Sequence, residues 1–71
     1  MKIAYDPEAN ALQITFHEDR IWEDSLEIEE GVIADLDGEG HIVGLEILDA
    51  KERLGGNPLD CISIVRLNER T

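Results

Sequence analysis

The chain's 71 residues and 8.0 kDa leave room for one small domain, residues 1–71, and no second. Seventeen Asp and Glu against six Lys and Arg give a formal net charge of −11, which excludes a nucleic-acid binder working by phosphate neutralisation and an anionic membrane surface as partner. A hydrophobic content of 42% sets the chain apart from a disordered acidic tail.

Period-two patterning runs through most of the chain. Lys2 to Tyr5 alternates, with Ile3 and Tyr5 on one face. Asp6-Pro7-Glu8-Ala9-Asn10 is turn chemistry. Ala11 to Phe16 puts Leu12, Ile14 and Phe16 on one face and Gln13 and Thr15 on the other, the pattern of a half-buried strand. These two strands and their loop read as a β-hairpin.

His17 to Arg20 reads as a loop. Trp22, Leu26 and Ile28 share one parity against Glu23, Ser25, Glu27 and Glu29, which predicts a third strand with an acidic outer face, broken on its inner face by Asp24. After the Glu30-Gly31 turn, Val32, Ala34 and Leu36 line a fourth strand. The Asp37-Gly38-Glu39-Gly40 turn leads to a fifth strand, Ile42 to Leu48, apolar on both parities except at Glu46 and therefore expected to be central.

A short helix near 49–54 follows, with Asp49 as its cap and Glu52 completing a capping box. Asn57-Pro58 breaks the chain, and the β-branched run Cys61 to Leu67 predicts a C-terminal strand. Residues 68–71 are expected to fray. The predicted fold is mainly β, a small α+β domain: an antiparallel meander of about five strands with one short helix and a final strand.

The single Cys61 allows no intramolecular disulfide, and the opening Met1-Lys2-Ile3-Ala4-Tyr5-Asp6 carries no signal-like apolar run, so a cytoplasmic protein is expected. A chain of this size buries only about 60% of its unfolded surface. A homodimer or a complex with another protein is therefore expected to supply stability.

The sharpest local pattern is Asp35-Leu36-Asp37-Gly38-Glu39-Gly40-His41-Ile42-Val43-Gly44-Leu45-Glu46. Asp35, Asp37 and Glu39 occupy the first, third and fifth places of an EF-hand calcium loop, Gly40 the sixth and Glu46 the twelfth. An EF-hand needs a helix on each side, and both flanks here alternate as strands. The pattern therefore reads as a β-turn with Gly relieving positive φ, and Asp35, Asp37, Glu39 and Glu46 are ligands only in the alternative of a divalent-metal or ligand-binding domain.

His17 and His41 read as surface residues beside turns, Cys61 as a buried small hydrophobe, and no cofactor is predicted. Glu46 is the one charge in an apolar strand. It fits a general acid or base, an ion pair with Arg53 or Arg66, or a charged guard at a sheet edge. Without a nucleophile–base pair or a Gly-rich phosphate loop, the sequence predicts no enzyme and no catalytic residue. Glu23, Asp24, Glu27, Glu29 and Glu30 read either as a solvated strand face or as a docking surface for a basic protein.

Tyr5-Asp6-Pro7-Glu8-Ala9-Asn10-Ala11-Leu12-Gln13-Ile14 resembles the opening of domain of unknown function 2283, a family of small bacterial and archaeal proteins. Gly31-Val32-Ile33-Ala34-Asp35-Leu36-Asp37 and Ile42-Val43-Gly44-Leu45-Glu46-Ile47-Leu48-Asp49-Ala50 resemble its central pattern. Asn10 stands where the family often has Asp, and Gln13 where it often has Tyr. The resemblance implies a small β-rich domain without an agreed catalytic residue, and it is compatible with an antitoxin-like role. The leading expectation is a non-enzymatic interaction module for a basic protein partner. A metal- or ligand-binding domain and a homo-oligomeric β domain are the alternatives.

Overall fold

The computed structural model describes residues 1–68. Five antiparallel strands form one sheet: β1 (Lys2–Asp6), β2 (Ala11–Thr15), β3 (Asp24–Glu29), β4 (Val32–Leu36) and β5 (Ile42–Ile47). The fold is thus the expected mainly-β one. The spatial order is β1-β2-β5-β4-β3, so the chain crosses from β2 to β3 at one end of the sheet and β5 returns to fill the middle. This suits β5, the strand with apolar residues on both parities.

Register sorts the side chains into two faces, because directly paired residues point the same way. One face carries two apolar rows, Tyr5–Leu12–Ile47–Val32 and Ile3–Ile14–Leu45–Ala34–Leu26. The other carries Ala4–Gln13–Glu46–Ile33–Glu27 and Lys2–Thr15–Gly44–Asp35–Ser25. The core is small: among the described residues Leu12, Ala34, Val43 and Ala50 are the buried hydrophobics, and no large side chain is fully enclosed.

Helix α1 (Ala50–Leu54) appears where expected, with a different cap. Asp49 is left-handed, at φ 52°, and makes no side-chain capping bond. Asn10 caps the helix from the distant hairpin loop instead. Its carbonyl accepts from Ala50 N at 2.9 Å and its Oδ1 from Lys51 N at 3.1 Å. The Tyr5 hydroxyl donates to the same Oδ1 at 3.0 Å, and Asn10 Nδ2 donates to Glu52 Oε1 at 2.8 Å. Glu52 is therefore a partner of Asn10 rather than half of a capping box with Asp49. Asn10 is itself left-handed, at φ 52°, a conformation that Asn tolerates better than most residues.

The expected C-terminal strand at 61–67 is not formed, and Cys61, expected to be buried, is exposed. Asn57 Oδ1 accepts from Leu59 N at 3.0 Å and Pro58 fixes φ at the first helical position, so residues 58–61 close into a helical turn, α2 (Pro58–Cys61). Residues 62–68 then run outside the sheet and pair with none of its strands. Of the end expected to fray, residues 69–71 lie outside the described residues. Among the described residues no helix is long and apolar enough to cross a membrane.

Asn10→Ala removes the α1 cap and the bonds to Tyr5 and Glu52, and should cost about 2 kcal/mol in urea unfolding. Asn10→Asp keeps the acceptor and should cost less than about 1 kcal/mol.

Candidate functional site

Strand β3 closes one side of the sheet, and all six of its residues are exposed. The five acids predicted as a docking face lie along this edge, but not on one face. Asp24 pairs with Leu36 and Glu27 with Ile33, which puts them on opposite faces; a bulge between Glu27 and Glu29 then sets Glu29 opposite Val32, on the apolar side. The acids form a rim that wraps the edge.

Part of this charge is already engaged. Arg53 Nη1 of α1 meets Glu29 Oε2 at 2.9 Å, and its Nη2 donates to the Glu30 carbonyl. Glu27 Oε2 accepts from Gly31 N at 3.3 Å, and Asp24 Oδ1 from Ser25 N at 2.8 Å. The Glu23 carboxylate lies over Gly38, where a Cβ would meet it at 2.6 Å. The outer carboxylates of the rim remain open to solvent.

The residues matched to a calcium loop divide into two places. Strands β4 and β5 flank the turn, so the helices of an EF-hand are absent there. Asp37 Oδ1 accepts from Glu39 N and His41 N, both at 2.9 Å, and its Oδ2 takes Arg20 Nη1 at 2.6 Å. The His41 N–H holds the Asp37 carboxyl below its ordinary value, helped by the Glu39 N–H and Arg20 against the effect of burial. Asp37, Glu39 and His41 bring ligand atoms within 4.8 Å of one another, yet both oxygens of Asp37 already hold the turn and the β2–β3 connection.

Asp35 and Glu46 meet on the polar face instead. Asp35 pairs with Gly44, and Glu46 lies one row along β5, opposite both Gln13 and Ile33. Gly44 serves the close approach of β2 rather than the acids: a Cβ there would lie 2.7 Å from the Ile14 carbonyl oxygen but at ordinary contact distance, 3.5 Å, from Asp35 Oδ2. Asp35 is only 4% exposed, and its Oδ1 has no hydrogen-bond partner among the described residues.

A hydrogen bond with Asp35, burial, and the Asp35 charge together push the Glu46 carboxyl up to about 7. Glu46 therefore holds its proton up towards neutral pH. Glu46 is not an edge guard, since β5 is central, and Arg53 is committed to Glu29. Beside Glu46 is a cavity of about 230 Å³ on the β1–β2 side, with Asp6 and Gln13 on its wall and Ala4 and Ala11 too small to fill it.

The pair was legible only in part. Glu46 stands out in the sequence as the one charge of an apolar strand, but Asp35 only as a member of the calcium-like loop. Their meeting depends on the hairpin register, and the irregularity between Asp35 and Leu36 hides that register from a count along the chain.

A carboxyl raised in the folded state favours folding below its unfolded value, and that contribution is lost as pH rises. Thermal stability should therefore fall between about pH 4.5 and about pH 7. Glu46→Gln should flatten that part of the profile, measured by circular dichroism.

No curated protein and no solved structure matches the chain. A family described as protein of unknown function (DUF2283) matches residues 2–51, spanning all five strands and the start of α1. Those residues hold the hairpin, the Asp35–Glu46 pair and the acidic edge together, and the chain belongs to that family.

Proposed function

We propose that this protein is a non-enzymatic interaction module whose β3 edge receives an extended, basic segment of another protein. The observation that supports the reading is an open edge strand, exposed at every residue and rimmed by Glu23, Asp24, Glu27, Glu29 and Glu30. An edge strand offers unpaired N–H and C=O groups to an added strand, and the rim supplies attraction for Lys and Arg. Acidic rims speed encounter with a cationic partner and penalise an anionic one. The fullest form of this reading is an antitoxin-like role, with the rim covering the basic active site of a cationic protein.

The test uses a fluorescent peptide alternating Arg with Val. Its affinity should fall at least tenfold between about 50 mM and about 500 mM salt. A variant with Glu23→Gln, Asp24→Asn, Glu27→Gln and Glu29→Gln should lose binding while keeping its folded circular dichroism spectrum. Binding that ignores both salt and these substitutions would remove the reading.

A second reading rests on the unpartnered Asp35 Oδ1 beside Glu46. A hard divalent cation there would replace the Glu46 proton and satisfy both carboxyls. It predicts a rise in Tm with magnesium or calcium that grows above about pH 7 and is absent from Glu46→Gln.

A further inference from the structure

Residues 62–68 behave unlike the rest of the chain. Ile62 is extended, at φ −99° and ψ 128°, and the segment Ile62-Ser63-Ile64-Val65-Arg66-Leu67-Asn68 has the β-branched composition of a strand. None of it hydrogen-bonds to another described residue. Ile64 is 91% exposed, Val65 72% and Leu67 82%. An apolar strand sequence left exposed and unpaired in water is half of a pairing.

Area gives the size of the missing half. A chain of this mass should expose about 4,450 Å² when folded alone, and this one exposes 5675 Å². Returning two copies to the expected value would bury roughly 2,400 Å² in total, the range of an obligate dimer rather than a passing contact.

Charge and length select the edge. Residues 62–68 hold Arg66 and no acid, in a chain of net charge −11. The β3 rim is acidic, and its Leu26 and Ile28 are 58% and 55% exposed. Seven extended residues span about 23 Å, against about 20 Å for the six of β3.

We propose that residues 62–68 of one copy add as a sixth strand to the β3 edge of a second copy, reciprocally, in a closed two-fold dimer. This rests on the reading of β3 as an edge for basic segments and names its resting occupant. An outside basic partner must then displace the second copy's strand.

Light scattering of the full chain at about 100 µM should give twice the 8.0 kDa mass. Ile64→Pro removes a strand donor outside the folded elements and should give a monomer with an unchanged circular dichroism spectrum. Trp22, the single tryptophan, donates to Ser25 Oγ at 3.1 Å beside β3 and reports the edge. Its emission should shift to the red in Ile64→Pro.

A monomeric full chain overturns the dimer. A dimer that survives both Ile64→Pro and Val65→Pro overturns the role of the segment, and a dimer with Trp22 as exposed as in Ile64→Pro overturns its placement on β3. The Arg–Val peptide separates the two readings. Tighter binding to Ile64→Pro than to the dimer supports both, whereas a monomeric Ile64→Pro that binds no peptide leaves the self-pairing standing and removes the outside partner.

Discussion

Burial is the constraint on which the rest of this structure depends. The five strands satisfy one another's backbone groups, but the apolar face has too little material above it to enclose more than its middle. Leu12 and Ala34 are buried, while Ile3 and Leu26, at the ends of the row that holds Ala34, remain open to water. In a chain this short each buried side chain is a large part of the total, so cross-links far apart in sequence become essential. Asn10 ties the first hairpin to α1, Arg53 ties α1 to the β3–β4 turn, and Arg20 ties the β2–β3 crossing to the β4–β5 turn.

Those cross-links also organise the charge. Arg20 and Arg53 are each placed against an acid, and the Asp37 carboxylate serves as the inner brace of a turn. Two concentrations of acid remain: the rim along β3, where solvent screens it, and the Asp35–Glu46 pair, where a proton on Glu46 relieves it. The two locations differ in kind. The rim is a long-range field, whereas the pair is a short-range site whose charge state follows pH.

The local pattern of the sequence carried most of the fold. Alternation in Ala11–Phe16 and the two-sided apolar run of Ile42–Leu48 marked a half-buried strand and the central one. The strand flanks of Asp35–Glu46 were enough to reject an EF-hand. What escaped was non-local. The α1 cap lies some forty residues away at Asn10, so a reading confined to neighbours chose Asp49. The acidic face became a rim because one bulge turned Glu29 to the other side. Residues 62–68 have the composition of a strand, but the α2 turn directs them away from the sheet, and they pair with neither of its edge strands, β1 and β3.

The distant cap has a kinetic consequence. Helix α1 has five residues, too few to persist alone, and its cap is separated from it by 41 positions. It cannot be completed until the β1–β2 hairpin has docked on β5. The helix should therefore form after the sheet's long-range pairing. Substitutions at Asn10 would chiefly accelerate unfolding and leave the folding rate nearly unchanged, so the residue that joins the two ends of the domain acts as its closing latch.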